Sequence, residues 1–235
     1  MQRILERIRS SLTAVSEEST RISGLRFFKE PVKLYGVKTA VVSGLDRQYY
    51  TEVCLLPKEQ LFYLCEELWK SGLMEESFIA CQWSHKMHKA YEPSDFSIFE
   101  KWVGEYVTNW ASCDTLCNHT VGTFLEKFPE FLPAVKGWAF SPNHWMRRAA
   151  AVSLIVPVRK GKFLPEVFEI AYSLLTDRDD LVQKGYGWML KSASQAHTEE
   201  VFRFVMLNKN KMPRTALRYA IEKMPPELKG RAMAR

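Results

Sequence analysis

A helical hairpin recurs along this chain at a nearly constant interval, and that recurrence limits the fold more than any other feature. The strings FLPAVKGWAF (131–140) and FLPEVFEIAY (163–172) both open on Phe-Leu-Pro and continue as amphipathic helices. Each passes through a polar turn, Ser141-Pro142-Asn143 or Asp177-Arg178-Asp179-Asp180, into a second helix, WMRRAAAVSLIV or LVQKGYGWMLKS. Landmarks of the second helix fall at Phe78, Trp110, Trp145, Val182 and Arg214, separated by 32, 35, 37 and 32 residues. A two-helix unit of roughly 33 to 47 residues marks TPR, HEAT and armadillo arrays, in which each unit buries its apolar face against its neighbours. The TPR pattern is absent. A turn, an apolar residue, Arg or Lys, then small residues fits the HEAT/armadillo style.

The rest of the chain agrees. Ile4, Leu5, Ile8 and Leu12 keep an i, i+3, i+4 spacing, as do Leu61, Leu64, Cys65 and Leu68. Pro57, Pro93, Pro129, Pro142, Pro165 and Pro213 stand at segment starts, where the first helical turn tolerates proline. Strand alternation is nearly absent. Val37 to Val42 is the one β-like run, and a short helix or a hairpin there stays open. The expected fold is all-α: one domain over residues 1–235, a right-handed superhelical solenoid of about five or six HEAT-like antiparallel hairpins.

Composition excludes several classes. Hydrophobic residues make up 46% and charged residues 26%, which is globular rather than disordered. No apolar run is long enough to span a bilayer, so no membrane partner is expected. The N-terminal MQRILERIRSS is an amphipathic helix and not a secretory signal. Five cysteines, an odd count without framework spacing, fit a reducing, cytoplasmic setting. Cys81, His85 and His88, or Cys113, Cys117 and His119, lack zinc-finger spacing. The net charge of +6 is unevenly spread: +4 over residues 1–50, −7 over 51–130 and +9 over 131–235. A basic groove would dock a polyanion by releasing counterions, whereas a solvated surface would do nothing more than keep the chain soluble.

Three second helices each present a tryptophan. Trp110 and Asp114 lie four residues apart, Trp145 and Arg148 three apart, and Lys184 and Trp188 four apart, so each pair shares a helix face. Aromatics among cations suit a polyanion that also offers sugar or base faces. The competing structural readings are core packing for each tryptophan and an N-cap near Thr115 for Asp114.

Taken in order, LYGVK (34–38), ELWKSGLMEES (67–77), NWASCD (109–114), WAFSPNHWMRRAA (138–150), VQKGYGWMLK (182–191) and RYAIEKM (218–224) resemble the DNA alkylation repair family, the AlkD-like DNA glycosylases built of HEAT-like repeats. The resemblance implies a monofunctional glycosylase of base excision repair that removes N3- or N7-alkylated purines from double-stranded DNA. It further implies a monomer that needs no metal and no organic cofactor. By carry-over, Asp114 is the carboxylate that stabilises the oxocarbenium sugar. Trp110 and Trp188 lie against the deoxyribose, and Arg148 holds nearby phosphates. Arg147, Lys184, Trp145 and Arg214 are the further DNA contacts expected from their places on second helices. The family is understood to work with the lesion still stacked, so a shallow groove suffices.

Two departures bear on activity. Ser43 and Gly44 stand where the family carries basic residues, which leaves Arg47 as the nearest substitute. Phe27 and Phe28 stand where active members present a tyrosine toward DNA. The alternative reading is a non-enzymatic paralogue that binds DNA, branched or damaged, on the same scaffold. A third is a HEAT adaptor for protein partners, with little DNA affinity.

Overall fold

Apolar spacing at the helical period is realised almost everywhere. The computed structural model describes residues 1–234 and is all-helical, with no strand among them and one isolated bridge, Lys33 to Leu73. The open run at Val37 resolves as helix from Thr39 onward. The chain divides into two units, Met1–Leu116 and Cys117–Arg235.

The first unit holds α1 (Gln2–Ala14), α2 (Glu18–Leu25), α3 (Thr39–Val53), α4 (Lys58–Trp69), α5 (Met74–Lys86), α6 (Asp95–Lys101) and α7 (Trp110–Thr115). Helix α1 buries Leu5, Ile8 and Leu12, the face its spacing defines. Helices α3, α5 and α7 pack in series, and α4 packs on α5. Phe62 of α4 meets Phe99 and Trp102 edge-on, both at centroid distances of 5.7 Å, tying α4 to α6 and the π-helical turn Trp102–Tyr106 that follows it.

Two buried carboxylates fix the segment between α2 and α3. Glu75, 2% exposed, accepts three backbone N–H groups, from Tyr35 at 3.1 Å, Gly36 at 2.9 Å and Val37 at 3.1 Å. Glu76 accepts the Tyr35 hydroxyl at 2.7 Å and pairs with Arg9 at 3.1 Å. Burial and that bond to Glu76 both hold the Tyr35 phenol well above its ordinary pKa. Gly36 takes a φ of +90°, and a side chain there would meet the Glu17 carbonyl at 2.6 Å.

The second unit holds α8 (Gly122–Lys127), α9 (Leu132–Trp138), α10 (His144–Val152), α11 (Ile155–Arg159), α12 (Leu164–Ser173), α13 (Asp180–Ala193), α14 (Thr198–Asn208), α15 (Arg214–Ile221) and α16 (Pro226–Met233). Three hairpins repeat, α9 with α10, α12 with α13 and α14 with α15, and the second helices α10, α13 and α15 pack in series. The Phe-Leu-Pro strings work as expected: Pro133 and Pro165 sit in the first turns of α9 and α12, where no amide partner is lost. Asn143 caps α10 through Trp145 N–H, and Asp179 caps α13 through Leu181 and Val182 N–H. Phe168 and Phe204 stack 5.0 Å apart at 6°, joining the first helices α12 and α14.

Candidate functional site

The seven tryptophans separate cleanly. Trp69, Trp83, Trp102, Trp138 and Trp145 are at most 7% exposed and belong to the core. Trp110 and Trp188 alone stay partly open. Trp145, expected as a DNA contact, is buried, and its ring packs against His144 at 4.4 Å. These five fill space in the core, as large aromatics usually do.

In the first unit, Asn109 sets the position of α7. Its side chain, 4% exposed, accepts the Ser112 N–H at 2.8 Å. Ser112 in turn bonds Ser77 of α5 at 2.7 Å. Ser112 and Cys113 therefore face inward, while Trp110, Ala111, Asp114 and Thr115 form the partly open face. With Asn109 as the cap, Asp114 is an interior residue of the helix, and the N-cap reading for it is wrong. A π-helical turn, Leu116–Val121, continues the helix directly after this face.

Trp110 forms one wall of a cleft of about 650 Å³. Phe28 stacks on its ring at 5.4 Å and 27°, and Phe27 stands 73% exposed beside it. Leu34, Met74 and Phe78 add apolar walls; Ser19, Thr20, Ser23 and Thr39 add hydroxyls. The one cation on the lining, Lys38, pairs with Glu17 at 3.3 Å. The aromatic pair and the Asn109 cap were missed in the sequence reading. An Asn directly before the first helical residue was the signal available for the cap. Nothing local announces that Phe28 reaches Trp110.

In the second unit, Arg148 is buried at 5% exposure, and its Nη1 donates to the Leu181 carbonyl of α13. The guanidinium is thus held in one place rather than free to swing. Arg147 has other employment. It pairs with Asp177 at 2.6 Å and donates to the carbonyls of Ser141 and Pro142 at 3.0 and 3.1 Å. These three partners clasp two successive hairpin turns, so a phosphate at Arg147 would compete with them. Lys184 and Trp188 share a face of α13, and Lys184 pairs with Asp180 at 2.7 Å. Arg214 and Arg218 are exposed on α15, which packs on α13.

Among the described residues, no group of three or more His, Cys, Asp or Glu side chains is placed to hold a metal ion. No helix among them is long and apolar enough to cross a membrane.

Stacked two-helix hairpins, with open tryptophans and cations on second helices, define a helical-repeat protein. Comparison with known proteins gives its family. The family model described as DNA alkylation repair enzyme matches residues 8–224, and the chain belongs to that family. Among solved structures, a predicted DNA alkylation repair enzyme from Enterococcus faecalis shares the fold, with a TM-score of 0.80 over 90% of this chain and 97% of that one at 17% identity. No curated protein matches the chain. Family membership supports a role in the repair of alkylated DNA, with DNA as partner.

Proposed function

We propose that the protein is a monofunctional DNA glycosylase that releases N3- or N7-alkylated purines from double-stranded DNA. The observation that carries this reading is the sorting of tryptophans. Of seven, the two left partly open are Trp110 and Trp188, the pair that the family resemblance assigns to the lesion's deoxyribose. Core packing alone gives no reason for that coincidence.

An alkylated purine carries a positive charge, so its glycosidic bond is already weak. What the protein must add is stabilisation of the oxocarbenium sugar and a placed water. A carboxylate supplies both, by the electrostatic logic that glycosidases use. Asp114 takes that role: it shares the partly open face of α7 with Trp110, and the Asn109 cap and the Ser77–Ser112 bond hold that helix. Arg148, Lys184 and Arg214 are assigned to backbone phosphates, which position the duplex without reading its sequence. A guanidinium already held in place loses little freedom on binding a phosphate.

A second reading, DNA binding without turnover, draws on Phe28. Its ring covers part of Trp110, and neither Phe28 nor Phe27 has the hydroxyl that active members present. One experiment separates the two. Release of modified base is measured from duplex DNA treated with a methylating agent, for the wild-type chain and for Asp114→Asn. The glycosylase reading expects release to fall by about 10²-fold or more, the cost of losing one electrostatic stabiliser, with DNA affinity retained. No release from the wild type, with the duplex still bound, leaves the second reading standing and ends the first.

A further inference from the structure

Two glycines two residues apart in α13 serve different neighbours. Gly187 faces α15: a Cβ there would lie 2.7 Å from Tyr219 Cβ and 2.9 Å from the Ala216 carbonyl oxygen. That glycine sets the distance between two helices. Gly185 faces α10 instead. Across the helix interface, the nearest atoms to a Cβ there would all be side-chain atoms: Arg148 Cγ at 3.2 Å, its Nη1 at 3.5 Å and Val152 Cγ1 at 3.6 Å.

The Arg148 side chain therefore runs over the bare Cα of Gly185. It ends on the carbonyl of Leu181, one turn earlier on the same helix and on the same face. Residue 185 is the floor of the path that the arginine takes. With any larger residue there, the aliphatic stem must ride outward, and the guanidinium goes with it. At 5% exposure there is little room for it to settle elsewhere.

We infer that Gly185 is a positioning residue for Arg148: the missing side chain fixes where the guanidinium is presented to the DNA backbone. The inference rests on the reading of Arg148 as a phosphate contact. Gly185 touches no DNA itself and acts through the arginine alone. It differs from a packing glycine in one measurable respect. Its replacement should change an ionic contact with DNA as well as stability, whereas replacement of Gly187 should change stability alone.

The test uses the full chain and a fluorescein-labelled DNA duplex, with affinity measured across a salt series. Each phosphate contact contributes about 0.9 to the slope of log affinity against log salt. Arg148→Ala should flatten the slope by about that amount. Gly185→Ala, which asks the arginine to move by a few tenths of an ångström, should weaken binding several-fold. Gly185→Val should flatten the slope as far as Arg148→Ala does. In an Arg148→Ala background, neither change at residue 185 should weaken binding further. Wild-type slope and affinity in Gly185→Val, or full additivity with Arg148→Ala, would overturn the inference.

Thermal unfolding separates this from failure of the parent reading. Arg148→Ala removes the Cγ that a new methyl would meet, so Gly185→Val should cost less Tm in that background than in the wild type. If that coupling is present while Arg148→Ala leaves the salt slope unchanged, the phosphate role of Arg148 is wrong and the packing geometry is right. If the coupling is absent, the packing geometry itself is wrong.

Discussion

Glu75→Gln is the substitution whose cost follows most directly from the structure. Glu75 Oε1 accepts Gly36 and Val37 N–H at 2.9 and 3.1 Å, and Oε2 accepts Tyr35 N–H at 3.1 Å. Glutamine has the same shape. Its amide oxygen takes over the Oε1 position and keeps two bonds, but its NH₂ then faces the Tyr35 N–H, donor against donor. Losing that charge-assisted bond costs about 1.5–3 kcal/mol. The two surviving bonds weaken from charged to neutral, about 1 kcal/mol each. Relief from burying a carboxylate returns part of this, so a net loss of about 2–4 kcal/mol is expected. Against a typical total of about 5–15 kcal/mol this is easily read from urea unfolding followed by far-UV circular dichroism. Amide exchange at Gly36 should accelerate by a similar margin, because that N–H is one of the three donors. Leu34, Gly36, Val37, Lys38 and Thr39 also wall the cleft beside Trp110, so loosening this segment should alter the environment of the Phe28–Trp110 stack. A stability loss under about 1 kcal/mol, with Gly36 protection unchanged, would refute the account of Glu75 as the anchor of this segment.

Two further outcomes are expected. Gly187→Ala forces α13 away from α15, because the new methyl meets the Ala216 backbone at 2.9 Å; overpacking of about 1–3 kcal/mol should exceed the roughly 1 kcal/mol that alanine gains as a helix former, and Tm should drop. Cys54 is the one half-buried thiol while Cys65, Cys81, Cys113 and Cys117 are buried, and burial pushes the Cys65 and Cys81 thiols up, which keeps them protonated and inert through pH 8–9. A disulfide reagent at that pH should therefore consume one thiol quickly in the native chain and all five in denaturant; fast reaction of two or more native thiols would show the packing around the buried cysteines to be looser than described.

Much of the fold was legible because it is written in local periods. The i, i+3, i+4 spacing, the proline starts and the recurrence of Phe-Leu-Pro each depend on a few neighbouring residues, and the helices follow them closely. The site was legible in part. Trp110, Trp188 and Arg147 stay partly open, but Trp145 is buried and Arg147 is already paired. What separated them lies elsewhere in the chain: the burial of Trp145, and an acidic partner thirty residues from Arg147 at Asp177. A helix-face argument places a side chain on a stripe but does not say what has already been packed against it. For the same reason Glu75 and Glu76 passed unnoticed as two acids in a charged stretch. Glu75 depends on amides about forty residues away and Glu76 on the Tyr35 hydroxyl and Arg9, which no pattern in ELWKSGLMEES discloses.

Charge shows the same limit in another form. The first unit carries 14 basic and 16 acidic residues, and the second 19 basic and 11 acidic, a balance of −2 against +8. Read as composition, all of the second unit's excess faces a polyanion. In the structure, Lys136 pairs with Glu169, Lys160 and Lys162 share Glu126, and Lys191 pairs with Glu222. These pairs differ in what a phosphate could displace. Lys184 and Asp180 form an i, i+4 pair on a partly open face, worth about 0.3–0.5 kcal/mol, and a phosphate competes with that on easy terms. Arg147 is different in kind: Asp177 is 9% exposed, and two turn carbonyls take further donors. Removing that guanidinium would leave a buried carboxylate and two carbonyls short of partners. Salt sensitivity of DNA binding should therefore track Lys184, Arg214 and the held Arg148, not the formal charge of the unit. The uncharged walls around Trp110 would contribute to affinity with little dependence on salt.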